Sequence, residues 1–208
     1  MLGRFSSMLF LAVAMSLLVE DAAPGNELHK DISSLAPIVE AAPTLAPFQH
    51  VRFCLRYPSD CQPNSRNDQR IFLNRRVMSL LTSVNSKINR SIVPSWKDYD
   101  GDVDAGWVIT PTIGDCNDYA VTKRHELLVS GLPSSALRLS VVRTPNQIGH
   151  LVLVVVTTEG DLVMDNLTEA IRPWQSTDYQ WLKIQSAKDP RFWIEVKPPM
   201  VDQSIRKG

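Results

Sequence analysis

The chain has 208 residues, with 22 Lys+Arg against 22 Asp+Glu and a formal net charge of zero. Hydrophobic residues make up 44% of it, ordinary for a protein that buries a core, and the length suits one domain with appendages. The charge balance excludes bulk electrostatic attraction to nucleic acid or to an anionic lipid surface.

Arg4 precedes an apolar run at residues 8–19 that ends at Glu20. That run is too short to cross a bilayer and suits the hydrophobic region of a secretory signal. Residues 1–22 are therefore expected to be a signal peptide, with no stable membrane insertion after its removal. A buried N-terminal helix is the competing reading. Prolines at 24, 37, 43 and 47 then block helix repeatedly, and residues 23–49 read as an Ala/Pro-rich leader or linker. The expected location is periplasmic or secreted.

Residues 50–208 are expected to form the domain. Cys54 and Cys61 close a short loop around Pro58, Ser59 and Asp60, and in an exported protein this spacing suggests a disulfide. A metal-binding pair is the alternative, although no second cysteine pair exists to complete a four-thiolate site. Pairing of 54 with 61 leaves Cys116 as the odd thiol.

Over residues 67–92 the pattern is helical. Leu73, Val77, Leu80, Leu81, Val84 and Ile88 recur at threes and fours, with Asn67 or Asp68 as the cap. Asp98, Asp100, Asp102 and Asp104 alternate next, between Trp96 and Trp107. An EF-hand fails there: counted from Asp98, the sixth position is Val103 and the twelfth is Ile109, where Gly and Glu are needed. The stretch reads as an acidic surface loop, with a looser calcium site as the alternative reading.

Then comes Gly114-Asp115-Cys116-Asn117-Asp118-Tyr119-Ala120. Residues 117–130 are mostly good helix formers without Pro, and Gly131 is a stop signal. Cys116 is thus expected at or beside a helix N-terminus, where the dipole and free N–H groups favour the reactive thiolate. A small buried core cysteine is the other reading. Downstream, residues 137–142 alternate like a strand, and His150 heads an apolar strand at 151–156. Glu159-Gly160 is a turn, residues 162–165 form the next strand, and 180–184 and 192–196 are two more candidates. Helices first and an antiparallel meander after them make an α+β domain, its sheet covered on one face.

A nucleophilic thiol needs a base. His29 and His50 lie in the leader or at its edge. His125, nine residues beyond Cys116 on the same helix, points the other way at about 13 Å of rise. His150 remains, and Asp165 on the following strand is the candidate to orient it. A two-residue turn at Glu159-Gly160 pairs Asp165 with Val154 and leaves His150 about 13 Å along the strand. A turn centred near Thr157-Thr158 would set the two opposite each other.

The Cys116 stretch, then Gly149-His150-Leu151-Val152-Leu153, then Leu162-Val163-Met164-Asp165-Asn166-Leu167 resemble the three motifs of the bacterial transglutaminase-like cysteine proteinases. The resemblance covers roughly residues 50–197, in the family's order and spacing. It implies a papain/transglutaminase-like fold with Cys116 as nucleophile, His150 as general base and acid, and Asp165 orienting His150. A protein or peptide substrate follows, which in the better-known members is a cell-surface adhesin, cut through an acyl-enzyme. The backbone N–H of Cys116, with Trp107 or Trp96, is the oxyanion candidate. The sequence requires no cofactor. Calcium is a possible ligand, as those members need it, with Asp115, Asn117 and Asp118 as its candidate ligands. Adhesin-clipping members tend to carry an acidic residue where this chain has Asn117, and a site with one charge fewer binds calcium more weakly. Two other readings stay open: transglutaminase-type acyl transfer to an amine by the same triad, and a non-catalytic binding module of the same fold.

Overall fold

The computed structural model describes residues 36–63, 70–97 and 106–197. The expected signal peptide, the first part of the leader, the caps at Asn67 or Asp68 and the aspartates at 98–104 lie outside the described residues.

The chain enters through β1 (Glu40–Thr44) and α1 (Phe48–Arg56), followed by a 3-10 turn at Pro58–Cys61. Then come α2 (Arg75–Ser91), the short strands β2 (Val93–Pro94) and β3 (Ile113–Gly114), and α3 (Cys116–Val129). The second half is a run of strands: β4 (Leu137–Arg143), β5 (Gly149–Thr157), β6 (Gly160–Met164), β7 (Arg172–Pro173), β8 (Gln180–Gln185) and β9 (Trp193–Val196). Seven of them make one antiparallel sheet in the order β1-β9-β8-β4-β5-β6-β7. This is the expected α+β architecture, helices packed on an antiparallel sheet.

Three expectations need correction. The sheet takes in residues 40–44 through pairs such as Glu40 with Val196 and Thr44 with Trp193, so the last part of the expected leader belongs to the domain. The helix expected from residue 67 starts at Arg75, capped by Asn74, whose side chain accepts from Val77 N–H at 2.9 Å. Residues just before it are extended, because Ile71 bonds the end of β5 through Val156 O and Thr158 N–H. Finally, the sheet is covered on both faces. Leu151, Leu153 and Val155 of β5 join the helix-side core, while Val152 and Val154 pack with Val163, Trp174, Trp181 and Ile184 on the other face. A continuous apolar run in place of an alternating one is the signature of such a strand.

α3 is the hub. Tyr119, Ala120, Val121, Thr122, Lys123, Arg124 and Leu127 are all buried, so the helix has no solvent-facing stripe along most of its length. Burying an arginine requires filling its donors. Arg124 donates to Leu137 O and Ser134 Oγ, both at 2.8 Å, and to Asp60 O, which ties α3 to β4 and the 3-10 turn. Gly131, with φ +88°, ends the segment as expected.

Candidate active site

Cys116 is the first residue of α3 and is half-buried. Asp115 before it is the N-cap: its Oδ1 accepts from the N–H of Asn117 at 3.0 Å and of Asp118 at 3.4 Å, while Asp118 Oδ2 accepts from Asp115 N–H at 2.9 Å. This reciprocal capping box fixes where the helix starts and hence where the sulfur sits. Gly114 is needed here for space. A Cβ at that position would lie 2.5 Å from Asp118 Oδ2, so any side chain would break the box.

His150 is the second residue of β5, opposite Val142, and is buried. Its Nε2 lies 2.8 Å from Asp165 Oδ1, and Cys116 is near enough to affect its titration. Burial alone would lower the His150 pKa; the bonds and negative charges of Asp165 and Cys116 outweigh it and raise it to about 9. Burial likewise opposes a charge on Asp165, but His150, the Tyr179 hydroxyl and Leu167 N–H hold its carboxyl below the usual range. Tyr179 donates to Asp165 Oδ2 and packs edge-on to the His150 ring at 5.8 Å.

The β5–β6 hairpin brings His150 and Asp165 together in a register that neither sequence alternative has. Leu153 pairs with Met164 and Thr157 with Gly160, so the turn residues are Thr158 and Glu159. Carried one step further, this sets Asp165 across from Val152, two residues short of His150 and two beyond the Val154 expectation. The pair is therefore diagonal on one face, a separation that long side chains bridge.

Cys116 and His150 face a cleft of about 1620 Å³, lined also by Gln49, Trp96, Trp107 and Tyr179, while Asp165 is buried. Of the two tryptophans among the oxyanion candidates, Trp107 is buried against His50 and Phe53, while Trp96 stands on the rim, 82% exposed. The candidate calcium ligands are engaged as follows. Asp115 Oδ2 accepts from Asn117 Nδ2 at 3.3 Å, beyond the helix bonds already given. Asp118 is fully buried, its Oδ1 accepts from Val108 N–H at 2.8 Å, and Lys97 Nζ lies 2.7 Å from both of its oxygens. Burial nonetheless leaves the Asp118 pKa raised.

Elsewhere, Cys54 and Cys61 are joined as a disulfide with Cα atoms 5.5 Å apart, which excludes the metal-pair alternative for the oxidised chain. His125 turns away from Cys116 and bonds Asp60 at 3.0 Å. His50, expected at the edge of the leader, is buried on α1, where Trp193 Nε1–H donates to its Nδ1 at 3.1 Å. Tyr179 and Lys97 are site residues that the sequence does not announce. Neither belongs to a motif, and a lone tyrosine or lysine carries no spacing signal.

Residues 40–200 match the bacterial transglutaminase-like cysteine proteinase family. The chain belongs to that family. It is accordingly a cysteine peptidase of transglutaminase-like type. Solved structures similar to this proteinase include LapG of Legionella pneumophila in calcium-bound form, at 24% identity over 60% of this chain and 74% of that one, with a TM-score of 0.49. LapG without a stated ligand gives 26% identity over 57% and 67%, with a TM-score of 0.48. The EGTA-treated form gives 25% over 60% and 70%, with a TM-score of 0.49. No curated protein matches the sequence. Among the described residues, no helix of the proteinase is long and apolar enough to cross a membrane.

Proposed function

We propose that the protein is an exported endopeptidase that hydrolyses a protein substrate through Cys116, His150 and Asp165. The observation that carries this reading is placement: Cys116 at the start of α3 and His150 line one cleft, and His150 Nε2 lies 2.8 Å from Asp165. A nucleophile, a base and an orienter of the base are the three parts that acyl transfer from a peptide needs.

In this reaction His150 takes the Cys116 proton and the sulfur attacks the scissile carbonyl carbon. The tetrahedral oxyanion is met by the Cys116 backbone N–H at the helix N-terminus, with Trp107, Trp96 or the Gln49 amide as a second donor. Collapse breaks the C–N bond, the leaving amine takes the proton from His150, and a thioester remains. Water, deprotonated by the now neutral His150, releases the acid and restores the thiol. The Asp165 carboxylate beside the ring favours its protonated form until the amine departs. Asp165 stays ionised and holds the ring through Nε2, which leaves Nδ1 for the sulfur.

The size of the cleft suits a protein segment, and a cell-surface protein is the substrate class to try first. The disulfide agrees with an oxidising compartment, periplasmic or extracellular. Acyl transfer to an amine uses the same groups and differs in the acceptor alone. The test is incubation with a protein substrate and a labelled primary amine. New termini without label support hydrolysis; label in the products assigns transfer; no product with either, from protein whose Cys116 alkylates rapidly, refutes the proposed peptidase mechanism.

A further inference from the structure

We infer that Lys97 is the resident cation at the N-terminus of α3, holding the place that the sequence offers to calcium. The Lys97 ammonium has three N–H donors and faces three oxygens: Asp118 Oδ1, Asp118 Oδ2 and Gly106 O, each at 2.7 Å. Its donor capacity is filled.

The donor set around Asp115, Asn117 and Asp118 does not fit calcium while Lys97 is there. Calcium takes six to eight oxygen ligands at about 2.3–2.6 Å. Here Asp118 gives both oxygens to Lys97 and accepts two backbone N–H groups besides. Asp115 spends one oxygen on the first turn of α3 and the other on Asn117 Nδ2. Two cations cannot share this corner. A calcium ion beside Asp118 would stand within a few ångströms of a lysine ammonium that already fills both oxygens of that buried carboxylate.

Charge points the same way. A carboxylate with no solvent exposure needs a counter-charge, which Lys97 supplies to Asp118, while the half-buried Asp115 carboxylate is met by N–H groups of Asn117 and Asp118. Asn117 adds no charge. The clamp also has a structural effect, because it joins the segment carrying Trp96 and the segment carrying Trp107 to the helix that carries Cys116. Both tryptophans line the cleft, so Lys97 positions a cleft wall against the nucleophile's helix.

The inference does not depend on the peptidase mechanism, and its test reads calcium rather than activity. Calorimetric titration compares the wild-type chain with Lys97→Met, which removes the charge and keeps the stem. Lys97→Met should take up one calcium more than wild type, because the emptied seat leaves Asp118 uncompensated. Identical isotherms, whether both proteins bind or neither does, would overturn the inference. A second measurement needs wild type alone, in case the variant does not fold. Thermal unfolding in calcium and in EGTA should coincide, and a drop of several degrees in EGTA would refute Lys97 as the occupant.

Discussion

Asp165 divides its two oxygens between two partners: His150 Nε2 lies 2.8 Å from Oδ1, and the Tyr179 hydroxyl donates to Oδ2. Each bond limits rotation of the carboxyl that the other one uses. Tyr179 also packs against the His150 ring, so one residue restrains both partners.

Tyr179→Phe keeps the ring packing and removes the donor. We expect kcat to fall about 10- to 100-fold, the range for one hydrogen bond to a charged group, with KM little changed. An unchanged kcat would remove Tyr179 from the positioning of the triad.

Replacing Cys116 or His150 by alanine should abolish turnover. Asp165→Asn should leave a residue, about 10⁴-fold down, because orientation is lost and the nucleophile remains. The same variant loses the bond and charge that raise the His150 pKa, so an NMR titration of that imidazole should move down from about 9. His125→Ala, facing Asp60, should leave kcat near wild type.

The raised His150 pKa also predicts a pH dependence of stability. Between the unfolded value of 6.5 and the folded value of about 9, the folded protein holds a proton that the unfolded chain has released. That contribution is complete below pH 6.5 and is lost as pH rises through about 9. Denaturation midpoints from pH 6.5 to 10 should fall, and fall less steeply in Asp165→Asn.

His50 acts on the acid side. Burial first, and then the Arg124 charge, lower its pKa to about 3, and the Trp193 donor at Nδ1 opposes a second ring proton. The unfolded chain takes up a proton that the folded chain refuses, so stability present above pH 6.5 is lost as pH falls toward 3. Each pH unit between the unfolded and folded values corresponds to about 1.4 kcal/mol. His50→Asn should be less stable at pH 7 but show a flatter slope between pH 6.5 and 4.5.

The disulfide can be tested through stability alone. For a sequence separation of 7, loop-closure entropy amounts to about 2.4 kcal/mol. The double variant Cys54→Ser, Cys61→Ser should lose about that much in urea titration. Its kcat at low temperature should stay near wild type, since neither sulfur faces the Cys116 cleft. A large drop in kcat would mean that the disulfide sets the position of α1, whose Gln49 lines the cleft.

The local features are the legible ones. Cys116 at a helix start, Gly131 as its stop and the paired Cys54 and Cys61 all follow from short-range signals. The apolar run after His150 reads as a strand, yet its two-sided burial does not, because the far face is covered by Trp174 and Trp181, residues distant in sequence. The turn lies at Thr158 and Glu159, one residue from where the glycine points, since Gly160 with φ +96° pairs with Thr157 and does not sit inside the turn. One residue at the turn shifts the partner by two, and that is enough to obscure the diagonal approach of Asp165 to His150. Lys97 meets Asp118 across 21 positions of chain, and no periodicity reports such a meeting.

Residues 36–45 also bear on how the domain is built in time. Ala36 O accepts from Trp174 Nε1, Ile38 N–H donates to Asp161, Glu40 pairs with Arg138, and Leu45 O accepts from Lys183 Nζ. The partners of Ile38 and Leu45 lie 123 and 138 positions downstream. Closing contacts that distant costs more chain entropy than the local helix and hairpin contacts, so they form slowly. This strap is synthesised before every element it fastens, and it can only dock once β8 and β9 have emerged. Folding of the domain is therefore expected to finish at its N-terminal end, and a chain held before that step leaves the β9 edge of the sheet unpaired.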